Sequence, residues 1–95
     1  MPGQTNELTV DLAINKVIQR EETRLQEIKA TLRDQLGEFE KKYGMPTDAF
    51  RNRFQQGELG DGIDYIEWDA TAEMLANAEK HLNVLLDGSN DESAN

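Results

Sequence analysis

The feature that most constrains this chain is where its helix breakers fall. No glycine or proline interrupts the stretch from Gln4 to Leu36, and none stands between Gly62 and Gly88. From Phe39 to Trp68, across the junction of those stretches, lie Gly44, Pro46, Gly57, Gly60 and Gly62, along with all three phenylalanines, both tyrosines and the single tryptophan. Two breaker-free stretches can pack on each other only by folding at the broken one. Aromatic side chains carry the largest apolar area per residue, so burial should be densest at that bend. The expectation is an all-α fold: a long helix, a short helix at the bend and a second long helix, together a helical hairpin.

From Asp11 to Tyr43 the helical period is clear. Ile14, Ile18, Leu25, Ile28, Leu32, Leu36, Phe39 and Tyr43 recur at spacings of three, four or seven, and form one narrow stripe. Glu21 and Gln35 interrupt it, either as register-setting polar residues of a coiled coil or because the helix is exposed there. A helix over these residues is longer than the second helical stretch can cover, so its first third packs on another chain or stays mobile. Ile14, Ile18, Leu25, Ile28 and Leu32 are therefore candidates for self-association as a coiled coil. Glu38 and Lys42 stand in the favourable order for an (i, i+4) ion pair.

Gly44 occupies the position of a left-handed closing residue, and Pro46 prevents continuation. Thr47 or Asp48 can cap a short second helix running to about Gln56. In it, Phe50 and Phe54 lie one turn apart and fill the bend. A third helix begins near Asp61 or Asp64, whose charge suits a helix amino terminus. It runs to about Leu86, with Gly88 closing it. Its apolar residues span roughly 200° of a helical wheel, with Ile63, Ile66 and Val84 on one edge and Trp68, Leu75 and Leu86 on the other. A one-sided helix needs only about half that arc, so two apolar surfaces are implied. The organisation expected is thus a flexible start or short strand over 1–10, where Leu8, Val10 and Leu12 alternate; a hairpin domain over 11–86; and a disordered acidic tail over 87–95.

Charge narrows the partners. The chain carries a net −9; residues 1–43 hold seven Lys/Arg against eight Asp/Glu, and residues 44–95 hold three against eleven. The acidic half repels phosphate backbones, so nucleic acid is not an expected ligand of the chain on its own. A β-ribbon at Leu8–Leu12 would present no Lys or Arg to DNA. A basic protein is the partner such a surface steers. There is no cysteine, hence no disulfide framework or thiolate site. Neither a signal peptide nor the ~20 apolar residues of a membrane span is present, which points to a cytoplasmic protein.

Catalytic patterns fail on inspection. Gly60–Trp68 resembles the back half of an EF-hand loop, but its register is one residue short. Asp61, Asp64 and Glu67 offer carboxylates on one helix turn without a second element to complete a metal site. His81, the only histidine, lacks a metal-binding companion. No nucleophile and base stand in a triad pattern, so no enzyme activity and no cofactor is expected.

The pattern Phe39-Glu40, Lys42-Tyr43-Gly44-Met45, then Phe50 and Phe54, then Gly57-Glu58-Leu59-Gly60-Asp61, Asp64 and Glu67-Trp68 resembles a group of small acidic microbial proteins. That group is regarded as the antitoxins of two-gene toxin–antitoxin modules. The resemblance implies a protein that neutralises the product of a neighbouring gene, and it implies no catalytic residue. It agrees with the reading from charge and wheel. Asp61, Asp64, Glu67 and Asp69, with Trp68, Leu75, Leu82 and Leu86, are the candidate partner-binding residues on the third helix, and a homodimer through the first helix is the companion expectation.

Overall fold

The computed structural model describes the backbone of residues 2–94 and the side chains of residues 10–87. It contains three helices in the order long, short, long: α1 Pro2–Tyr43, α2 Thr47–Gln55 and α3 Ile63–Ala94. There is no strand among the described residues. The expected all-α hairpin is the observed architecture.

The strand considered at the amino terminus does not form; the backbone there belongs to α1. No second strand is present among the described residues to accept its ladder, whereas lengthening an existing helix adds one hydrogen bond per residue fixed. The same propagation carries α3 through Gly88 to Ala94, where the sequence leads one to expect a closing residue and an unstructured tail. A glycine costs a helix about 1 kcal/mol relative to alanine without forcing it to stop. Gly44 does stop α1. Its φ is 65°, its amide donates to the Glu40 carbonyl at 2.8 Å, and Pro46 follows.

The second helix is capped differently from the sequence expectation. Pro46 occupies its N-cap with no side-chain cap bond. The Thr47 amide instead donates to Glu40 Oε2 at 2.8 Å, and the Thr47 hydroxyl donates to the same oxygen at 2.9 Å. A carboxylate from the last turns of α1 thus serves the exposed donors of α2. It locks the bend in the process.

α1 and α3 run antiparallel, as the pairs Tyr43–Asp64, Phe39–Trp68 and Arg33–Glu79 show. The core has two centres. At the bend, Leu36, Phe50, Trp68 and Ala72 are buried, with Phe39, Tyr43, Met45, Phe54, Leu59, Tyr65 and Leu75 packed around them. Further along, Leu25, Ala78 and Leu82 form a smaller cluster with Ile28 and Leu85. Among the described residues only Trp68 and Phe50 are buried completely. Their rings stack with centroids 3.9 Å apart and planes parallel, while Phe39 and Tyr43 stack on Trp68 at 5.6 and 5.7 Å. Burying an aromatic removes roughly 150–250 Å² from water, an upper figure of about 4–6 kcal/mol each.

The outcome is a rod of 67 × 23 × 18 Å with a radius of gyration of 19.5 Å. A compact domain of this length would have about 12 Å. So extended a shape buries little, and its stability concentrates at the bend. Trp68→Ala should cost about 3–5 kcal/mol, comparable to the whole stability of so small a core. Far-UV circular dichroism at 25 °C should show that variant largely unfolded. Val17→Ala, on the exposed end of α1, should change the unfolding free energy by no more than ~0.5 kcal/mol. Equal effects of the two would refute a core centred on Trp68.

Candidate partner-binding surface

α3 packs one stripe against α1 and α2, and a second remains bare. Ile63, Ile66, Met74 and Val84 are all at least half exposed. Spacings of three, four and seven place them on one line with Ala70, Asn77 and His81, each of them exposed. This is the second apolar surface implied by the 200° arc. Val10, Ile14 and Val17 are exposed in the same way on α1.

The residues picked from sequence divide sharply. Trp68 is fully buried and Leu82 nearly so, and Leu75 packs on the bend cluster; these three build the core and have little or no surface to offer a partner. Asp64 accepts hydrogen bonds from Lys42 Nζ at 2.7 Å and from the Tyr43 hydroxyl. Asp69 accepts from Arg51 Nε at 2.9 Å. Both carboxylates are thereby spent on holding α3 to α1 and α2. Asp61, Glu67 and Leu86 are exposed. On α1, Leu25 and Leu32 are buried and Ile28 packs on the second cluster, so only Ile14 and the half-exposed Ile18 remain for self-association. Glu21 is half-buried beside Arg24, its ion-pair partner.

One expected pair is replaced. Lys42 turns to Asp64 on α3 and not to Glu38 one turn back. Among the described residues Glu38 then has no cationic partner, and neither have Glu27 and Glu67.

The two long helices leave a groove on each side of the plane they define. On the α2 side it is lined by Arg33, Leu36, Glu40, Thr47, Arg51 and Glu79 among others. On the other side lies an open groove of about 450 Å³, lined by Gln35, Glu38, Phe39, Glu67, Ala70 and Thr71. The sequence suggests no space of that size; it arises between helices and belongs to neither alone. Gln35, the odd polar residue in the α1 stripe, was the one signal pointing to it. Along the same flank of α1, Arg24, Glu27, Ile28, Thr31 and Leu32 line a further hollow of about 310 Å³.

Electrostatics at the bend follows from the Asp64 cluster. The Lys42 ammonium, then the Tyr43 hydroxyl, hold the Asp64 carboxyl below the usual aspartate range. The Asp64 carboxylate in turn raises Lys42 and Tyr43 above their ordinary values. Among the described residues no three His, Cys, Asp or Glu side chains converge as metal ligands, and no helix is long and apolar enough to cross a membrane. Comparison with protein-family models, with curated proteins and with solved structures returned no match.

Because the folded-state pKa of Asp64 is depressed, its contribution to stability is present above the ordinary carboxylate value of ~3.9 and is lost as pH falls through the folded value. Lys42 and Tyr43 act in the opposite sense: their contribution is present below their ordinary values near ~10 and is lost as pH rises through the raised ones. Asp64→Asn should lower the melting temperature at pH 7 and flatten the decline below pH ~4. Melting series from pH 2 to 7 that fall in parallel for the two chains would refute this role.

Proposed function

We propose that this chain is a non-enzymatic, cytoplasmic partner-binding protein of antitoxin type, which neutralises a basic protein encoded beside it and needs no cofactor to do so. The observation that carries the reading is the apolar stripe of Ile63, Ile66, Ala70 and Met74 on α3, left bare by the chain's own fold. It lies in the half of the chain with three cationic against eleven acidic residues. Apolar contacts supply binding energy, and an acidic surround selects a basic partner and speeds its approach. The resemblance of Phe39–Trp68 to small acidic antitoxins supports the same role. The contact residues differ from those picked by sequence: Asp61, Glu67 and Leu86 stay on the surface, and Ile63, Ile66 and Met74 take the place of Trp68, Leu75 and Leu82.

Self-association is the second reading, favoured by the exposure of Val10, Ile14 and Val17 ahead of the buried Leu25. The two surfaces lie on different helices, so both can operate in one molecule.

Co-expression with the neighbouring gene should yield a complex on pull-down and should relieve any growth defect caused by that gene alone. Ile66→Gln with Met74→Gln should weaken the complex by roughly tenfold or more while leaving helix content unchanged. No complex, or one indifferent to these substitutions, defeats the proposal. A chain that sediments as a monomer at high micromolar concentration removes the second reading.

A further inference from the structure

We propose that the groove on the face opposite α2 receives a single amphipathic helix of the partner, with an apolar contact line and Lys or Arg on its flanks. This inference rests on the partner-binding reading and adds where the partner docks and in what form.

Two antiparallel helices present a trough on each side. α2 packs over one of them at the bend, and nothing from the described chain enters the other. Phe39, Ala70 and Thr71 line it. Ala70 is small enough to let another backbone come close, as helix packing at 8–10 Å requires. The same flank of α1 continues to Ile28 and Thr31. From Ile28 to Phe39 the path is roughly 17 Å at 1.5 Å per residue, or about three helical turns.

The form of the occupant follows from its backbone. An extended peptide in this groove would leave its amides and carbonyls unpaired, because the hairpin offers no sheet edge. A helix satisfies its own and completes a three-helix bundle. The charge follows from the rim. Glu38 and Glu67 flank the groove and Glu27 continues along it. None is paired within the described residues, since Lys42 is held by Asp64 and Arg24 by Glu21. Glu38 and Glu67, two unpaired carboxylates on either side of a groove with no cation in its lining, fit a helix with cationic flanks.

The test uses the full chain, isotope-labelled, and two synthetic peptides that share one leucine stripe at i, i+3, i+4 and i+7. One carries lysine on its flanks and the other glutamate. The lysine peptide should bind saturably and shift the resonances of Ile28, Phe39, Ala70 and Thr71, leaving Thr47 and Arg51 unmoved. The glutamate peptide should not bind. Glu38→Gln with Glu67→Gln should weaken the lysine peptide about fivefold at low salt and less at high salt. Ala70→Lys, at an exposed helical position, should abolish binding with the helix content intact. No binding at millimolar peptide, equal binding of both peptides, or shifts centred on α2 or on Ile14 overturns the groove. So does a concentration-dependent shift of these same resonances in the chain alone, which would assign the groove to a second copy. If the groove fails while the Ile66 and Met74 substitutions still disrupt the complex with the neighbouring gene product, the partner-binding reading stands without it.

Discussion

The fold depends on a single residue meeting three helices. Trp68 leaves α3 and stacks on Phe39 and Tyr43 of α1 and on Phe50 of α2. Its indole N–H donates to the Thr47 hydroxyl at 3.0 Å, and that hydroxyl is itself held by Glu40. Two amphipathic helices alone would tolerate several registers, because leucine and isoleucine stripes repeat every turn or two. A tryptophan with one polar atom does not. Its stack and its hydrogen bond can be satisfied together at one position, which fixes α1 against α3 and places α2 over both.

Polar contacts then follow that register outward from the bend. Asp64 meets Lys42 and Tyr43, Asp69 meets Arg51, and Glu79 meets both Arg33 and Lys29. Pairs this exposed each contribute little to stability. Their larger effect is on which charges remain available. Cations of α1 and α2 pair with α3 on the α2 side and at the bend, while Glu38 and Glu67, which line the opposite groove, have no cationic partner among the described residues. Dispersed acids aid solubility; Glu38 and Glu67 across one apolar groove can also select a partner.

Much of the fold was legible in the residues. Gly44 and Pro46 ended one helix, Phe50 and Phe54 belonged to the bend, and the 3.6-residue period marked both long elements. The termini were less legible. Leu8, Val10 and Leu12 alternate like a strand, and with no pairing strand among the described residues the helix is the better state there. Gly88 looked like a stop, but unlike Gly44 it has no proline behind it. The site was half legible. The wide arc of α3 announced two apolar surfaces, and Ile63, Ile66 and Val84 were already one edge of it. Which edge faced inward was not decidable, since a wheel shows the angle between residues and not the direction of the core.

What the sequence determined by itself is the set of elements, their apolar stripes, the place of the bend and the separation of charge between the two halves. These are local properties, set by the backbone preferences of glycine and proline and by the spacing of side chains along a helix. Tertiary structure alone decided that Trp68, Leu75 and Leu82 face inward, that Asp64 and Asp69 serve as ties, and that Lys42 abandons Glu38. It also decided that Gln35, Glu38 and Phe39 meet Glu67, Ala70 and Thr71 across a groove. Each of these depends on the rotation and register of one helix against another. That choice is made by the single aromatic stack at the bend, and no single segment contains it.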